Sequence, residues 1–187
     1  SLIGHVGFIA NGAPFVIPIL IARQGDDILL HGAASSRLMR HVAAGSELCI
    51  SIAHVDGLVL ARSIFHHSVN YRSAVLFGRG ALVTGREDKL AALKRFSDQL
   101  LPGRWEDARR PNEIELKATA VARISIDLAS AKIRSGPPGD DEDDYALPVW
   151  AGLLPMAVHY GAPIPDGRLS SGIEFPGYLQ VIMSAVD

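Results

Sequence analysis

Two apolar runs, His5–Ala10 and Phe15–Ala22, flank Asn11-Gly12-Ala13-Pro14 near the start of the chain. An Asn-Gly pair between β-forming runs is a strong local signal for a tight hairpin, because both residues tolerate the positive φ that such turns demand. Signals of this kind recur. Gln24–Asp27 reads as a second turn before a short strand at Ile28–His31. Leu48, Ile50 and Ile52 alternate with Cys49, Ser51 and Ala53, the period of a half-buried strand. Asp56-Gly57 reads as a further hairpin turn with Leu58–Phe65 running back, and Ser73–Thr84 as the longest strand. Ala118–Ile126 reads as another strand and Leu153–Tyr160 as a last one. Parallel strands need long crossover connections, and these turns are too short for them. The expectation is a mainly β chain: an antiparallel barrel, or a β-rich α+β domain, with flanking helices.

Two helices interrupt the strands. Leu38, Met39, Val42 and Ala43 follow Ser35-Ser36 at helical spacing, with a serine as N-cap and Gly45 as the stop. Over Arg86–Leu101, Leu90, Leu93, Phe96 and Leu100 fall on one stripe. Pro111–Leu116 reads as a short helical turn, Ser135–Tyr145 as loop, and the proline-bearing tail from Gly161 as irregular. A chain of 187 residues suits a single domain, 1–187, with a core large enough to fold without disulfides. It opens at Ser1 directly into Leu2–Ile9, which leads us to expect a further N-terminal segment in the natural protein.

The lone Cys49 excludes an internal disulfide and a cysteine zinc site, and its apolar strand predicts an inert core thiol. No run of 18 apolar residues and no signal peptide is visible, so the expected setting is cytoplasmic, away from membranes. A net charge of −2 argues against a generally basic nucleic-acid binder. Five of the acids sit together at Asp140–Asp144 and read as a solvated loop; the remaining 15 face 18 bases. Of those bases 14 are arginine, the side chain suited to forked recognition of phosphate or carboxylate. The glycine-rich phosphate loop, the H-E-x-x-H zinc motif and the G-x-S-x-G elbow are all missing.

Three segments carry chemistry. In His31-Gly32-Ala33-Ala34-Ser35-Ser36-Arg37 a strand ends on small residues and a helix begins with two hydroxyls and a guanidinium, either an anion site or a simple cap. His66-His67-Ser68-Val69-Asn70-Tyr71-Arg72-Ser73 reads as a polar connection between strands, either a binding surface or a solvated loop. Adjacent histidines on a strand point to opposite faces and do not share one ion. In Ala131-Lys132-Ile133-Arg134 two cations alternate and can face one anion, or pair with the acidic cluster; Trp150 follows beyond it.

Read together, these segments resemble the pyridoxamine 5'-phosphate oxidase-related FMN-binding proteins, the split-barrel flavoproteins, near the nitroimidazole-resistance branch. The resemblance is carried by GHVGF (4–8), FVIP (15–18), LHGAASSR (30–37), DGLVLAR (56–62), FHHSVNYRS (65–73), FGR (77–79), LPGRW (101–105), ELKATA (115–120) and the segment 130–152. It implies a six-stranded antiparallel split β-barrel that forms a homodimer with FMN at the subunit interface. It assigns the phosphate to Ser35, Ser36 and Arg37, with Tyr71, Arg72 and Ser73 nearby. Pro18, Ile19, Leu30 and His31 would lie along the isoalloxazine and ribityl chain, and Lys132, Arg134 and Trp150 would approach the flavin. The tryptophan–arginine pattern by which true pyridoxamine phosphate oxidases hold their product is missing, since Val149-Trp150-Ala151 departs from it, so the oxidase substrate does not transfer. The leading expectation is an FMN-dependent oxidoreductase taking electrons from a donor such as NADH or NADPH, with His66 or His67 as proton donor. The alternative is a non-catalytic protein that binds or sequesters flavin or haem.

Overall fold

A computed structural model describes residues 2–184; Ser1 and the last three residues lie outside it. β1 (Ile3–Ala10) and β2 (Ala13–Gln24) form the expected hairpin, in register from Ile3↔Leu20 to Ala10↔Ala13. Asn11 and Gly12 take φ of 51° and 75°, the positive pair that a right-twisted two-residue turn requires. β3 (Asp27–Ala33) returns along β2, and α1 (Arg37–Ala43) crosses the end of the sheet. β4 (Glu47–Leu60) and β5 (Ser68–Leu82) then pair antiparallel from Glu47↔Arg79 to Val59↔Ser68. After α2 (Arg86–Leu100), α3 (Arg104–Asp107) and α4 (Glu113–Ala118) come β6 (Thr119–Ser125), β7 (Leu128–Arg134) and β8 (Gly152–Pro155). α5 (Gly177–Ser184) ends the described chain.

The eight strands run β7-β5-β6-β3-β2-β1-β4-β8, and the β4–β5 pairing closes six of them into a ring. The split arises from two long strands that change partners. On its edge away from β4, β5 pairs with β7 over Tyr71–Phe77 and with β6 over Gly80–Leu82. Along β4, β1 occupies Cys49–Ser51 and β8 takes over at Gly57–Leu60. The β4–β5 ribbon therefore belongs both to the ring and to a four-stranded extension, β7-β5-β4-β8.

Three expectations are corrected here. Asp56-Gly57 is a bulge inside β4, where the register shifts between Val55 and Gly57, and Leu58 continues the same strand. The Gly57 pair lies against the β8 backbone, where a Cβ would meet the Leu154 carbonyl at 2.9 Å, so glycine here serves close approach and not reversal. The polar stretch from Ser68 to Ser73 is strand as well, the first third of β5; residues 61–67, with a 3₁₀ turn at Ile64–His66, connect it to β4. Leu153–Tyr160 is strand only as far as Pro155.

The main core fills the ring: Val6, Leu30, Met39, Val42, Ile50 and Ile124 are each 2% exposed or less. α1 plugs one end with Leu38, Met39 and Val42. A second cluster lies outside the ring, where Ala92 and Phe96 of α2 cover Ala22, Leu29 and Val121. Gln99 binds the β2 edge beyond β1, donating to the Ile21 carbonyl at 2.8 Å and accepting from the Arg23 amide at 3.0 Å, so that edge is not left open. α4 is started by a capping box between Asn112 and Glu115; Arg109 and the Asn112 amide hold the Glu115 carboxyl down to about 2.

β6 crosses β5 at Gly78 and Gly80. A side chain at Gly78 would overlap the Ser125 carbonyl, and one at Gly80 would press into Ile124 and Val42. Gly78→Ala is expected to cost about 3 kcal/mol or more, because the obstacle is backbone that cannot rotate away. Urea unfolding measures this, and a loss below about 1 kcal/mol would show that the crossing is looser than described.

Candidate functional site

The first gathering of singled-out residues is at the β3–α1 junction. Ser36 caps α1, its hydroxyl accepting from the Met39 amide at 3.3 Å, while Ser35 is exposed. Arg37 is exposed, and its guanidinium carbon stands 4.1 Å over the Phe15 ring. Phe15 stacks on Phe8 at 5.6 Å, and Phe8 on His41 at 4.7 Å. Flat groups thus step from Arg37 to His41, one helical turn apart, across β2 and β1. Among the described residues Arg37 pairs with no carboxylate, in contrast to Arg72, Arg79 and Arg109. Stacking places the cation and leaves its N–H groups unspent.

A cavity of about 840 Å³ adjoins this stack, lined by Phe15, Val16, His41, Cys49, Phe77 and Leu128 among others. Cys49 is therefore half-buried on the cavity wall and not in the core, because Leu48 and Ile50 take the inward positions of β4.

The second gathering is an outward sheet face. Registers place Val16, Gly7, Cys49, Phe77 and Leu128 side by side across β2, β1, β4, β5 and β7, with Pro18, His5, Ser51, Val75 and Ser130 in the next exposed row. These two rows hold one ionisable residue besides the thiol, His5, and Val16 and Leu128 are 66% and 64% exposed. Ser73 and Lys132 continue the same face, as do Tyr71 and Arg134. Lys132 Nζ lies 5.9 Å from the Tyr71 ring centre. Arg134 donates to Asn70 Oδ1 at 3.1 Å, and the buried Asn70 amide donates to the Gly136 carbonyl.

Strand alternation separates the remaining residues. Arg72 points to the opposite face from Tyr71 and Ser73, where it holds Asp56 with bonds of 2.7 and 3.0 Å and keeps that carboxyl below its ordinary range. Leu30 is wholly buried in the ring, and Ile19 packs against the same core. His31 faces outward onto Phe96, edge to face at 4.6 Å, and burial pushes its pKa down. Pro18 alone of those four is on the open face. The Arg37 and Ser73 groups are also far apart. Phe15 lies level with Gly78, five residues along β5 and three strands away, which makes about 20 Å. One phosphate cannot touch both within a protomer.

The third gathering is the turn before β5. The Asp140 side chain is fully enclosed, accepting from the Arg62 and Ser63 amides at 2.8 and 3.0 Å and from the Arg62 guanidinium at 3.2 Å. Arg62 also stands 4.9 Å over Tyr145. His66 Nε2 is 3.5 Å from Asp141, and His67 Nδ1 is 3.0 Å from the Ser63 carbonyl. Trp150 is 68% exposed, its ring lying over Gly152. Sequence reasoning took the whole acidic cluster as solvated, and one of its five members is a buried clamp. Nothing local distinguishes Asp140 from its neighbours; its partners are almost 80 residues upstream. Phe15, Asn70 and Asp56, which fix Arg37, Arg134 and Arg72, were missed for the same reason.

Fold and site define an antiparallel split barrel with an arginine, unpaired among the described residues, beside a largely apolar cavity and an outward face whose charges lie at its margins. The pyridoxamine 5'-phosphate oxidase family model matches residues 1–133, and the chain belongs to that family. It is 40% identical to the flavocytochrome Anf3 from Azotobacter vinelandii, covering 97% of this chain and 84% of that one with a TM-score of 0.90. It is 33% identical to an FAD and haem binding protein from Mycobacterium smegmatis, with 97% and 89% coverage and a TM-score of 0.92. A protein assigned to 5-nitroimidazole antibiotic resistance from Bacteroides thetaiotaomicron VPI-5482 shares the fold at 18% identity, covering 70% of this chain and 76% of that one, with a TM-score of 0.59. No curated protein matches the chain. No described helix is long and apolar enough to cross a membrane.

Asp140 yields a pH prediction. Removal from water pulls its carboxyl upward, and the Ser63 and Arg62 amides with the Arg62 guanidinium outweigh this, so its pKa lies below the ordinary value. The stability it contributes is present above the unfolded pKa of about 4 and is lost as pH falls through the folded value. Asp140→Asn is therefore expected to lower Tm at neutral pH, with the difference from wild type narrowing in acid. Melting curves across that range decide it; a constant difference would mean that the clamp does not depend on the ionised carboxylate.

Proposed function

We propose that this chain is a flavin-binding redox protein that also holds haem and works as a homodimer, residues 1–187 acting as one domain. The likeness over 97% of the chain to two proteins, one named as a flavocytochrome and the other for FAD and haem, carries the reading. The local support for flavin is Arg37: a stacked guanidinium with no carboxylate partner among the described residues is poised for a phosphate, and the cavity beside it is walled by Phe8, Phe15 and Phe77 with aliphatic side chains, Glu47 and Asp127 lying at the same wall. A bound flavin supplies hydride and single-electron transfer, and the chain supplies the pocket and its charges. FMN and FAD share the ring and the first phosphate, so this site suits either. NADH or NADPH is the proposed electron donor, and His66, beside Asp141, the proposed proton carrier.

The dimer reading is supported by the outward face. Two rows of apolar and small side chains on the outer face of the sheet, with Val16, Phe77 and Leu128 all exposed, suit a self-complementary contact about a two-fold axis. Such a contact brings Ser73 and Lys132 of one protomer towards the partner, which is one way for two clusters about 20 Å apart to serve the same cofactor.

The test is an absorption spectrum of the purified chain before and after flavin addition, with the released cofactor identified by chromatography. Arg37→Ala is expected to weaken flavin retention about tenfold or more, the worth of a charge-assisted phosphate contact, while Arg40→Ala on the same helix leaves it unchanged. Equal retention by both variants would remove the phosphate assignment. Phe77→Asp is expected to give a monomer by light scattering, and a dimer unaffected by that charge would place the interface elsewhere.

A further inference from the structure

The turn at Ile64–His66 presents a combination that the flavin reading leaves unused. Ile64 and Phe65 are each 87% exposed, although the turn carrying them is firmly held. The holding comes from Asp140, which binds the Arg62 and Ser63 amides from below. The Ser63 carbonyl thus fixed lies 3.0 Å from His67 Nδ1. A carbonyl only accepts, so His67 carries its proton on Nδ1 and presents the lone pair of Nε2 outward from an exposed ring. An imidazole held through Nδ1 by a backbone carbonyl is the arrangement that orients a histidine towards a metal and raises its basicity as a ligand.

Four of the other histidines are spent differently. His66 directs Nε2 at Asp141 and lays its ring edge to face on Phe65. His41 uses Nε2 on the Glu47 carbonyl, and His31 is packed against Phe96. His54 lies opposite Arg72 in the β4–β5 register, where burial and that cation push its pKa down.

We propose that His67 Nε2 is an axial ligand of a haem iron and that Ile64 and Phe65 cover the porphyrin. The proposal rests on the haem reading above. Asp140 and Ser63 act here as positioning groups, since they hold the ring without touching the haem. An iron porphyrin asks for one oriented nitrogen donor beside exposed apolar surface, and this turn offers both.

The full chain is reconstituted with hemin, passed through a desalting column, and read by absorption in the ferric and ferrous states. Wild type is expected to retain haem with a histidine-ligated Soret band. His67→Ala is expected to retain at least about tenfold less, with added imidazole restoring the band, while His54→Ala behaves as wild type. Melting of the haem-free variant checks that the exposed substitution leaves the fold intact. Wild type that retains haem together with an unchanged His67→Ala spectrum overturns the ligand assignment alone. Wild type that retains no haem overturns the haem reading and this proposal together.

Discussion

The pairing of β4 with β5 is the constraint on which the rest of the molecule depends. The ribbon runs from Glu47↔Arg79 to Val59↔Ser68 and is shared by the six-stranded ring and the extension. Its length forces a change of neighbours on both outer edges, because a closed ring of ordinary strands cannot accommodate it. β1 yields to β8 on one side and β6 yields to β7 on the other. The outward face, the cavity beside Arg37 and the turn that carries His67 all border this ribbon. A slip of one residue would turn Cys49, Phe77 and Leu128 inward and expose Ile50 and Leu76, so the buried face of the ring fixes the register.

The division of labour along the ribbon has a chemical consequence. Residues facing the ring interior are apolar and closed to ligands, as Ile50 shows. Those facing outward are small or apolar, and the cations among them are set at the margins. Arginines with carboxylate partners, such as Arg72 with Asp56, serve the scaffold; Arg37, stacked on Phe15 and unpaired among the described residues, does not. That contrast, more than the number of arginines, separates structural cations from a candidate anion contact.

What was legible in the sequence was local. Asn11-Gly12, the Ser36 cap and the Gly45 stop are each decided within a few residues, and each appears as expected, while the stripe of α2 centres on Ala92 and Phe96 with Leu93 beside them and leaves Leu90 and Leu100 half-buried. Asp56-Gly57 misled because the dipeptide that makes a hairpin also makes a bulge, and the choice is set by β8 arriving from a hundred residues downstream. The run 68–73 read as loop because its polar side chains suit one, yet a strand flanked by β4 and β7 satisfies its backbone whatever the side chains are. The candidate site was legible as residue types and not as geometry. Ser36, Arg37, Tyr71, Ser73 and Lys132 were picked out by type, while alternation sent Arg72, Leu30 and His31 elsewhere.

The ring also dictates an order of assembly. β1, β2 and β3 form a meander of near neighbours, and β4 and β5 find each other across a short turn. β1 joins the two halves through β4, and β6 closes the ring, pairing Asp27 with Ser125 and Leu82 with Ala122. The first of these β6 contacts closes a loop of nearly the whole preceding chain, so its entropic cost falls due after the local pieces exist. A chain cut before Thr119 would hold an open sheet, β3-β2-β1-β4-β5, with raw edges at β3 and β5 and nothing to close it. During synthesis the growing chain is in that condition until β6 leaves the ribosome, and those edges are where misassembly with a neighbouring chain would begin.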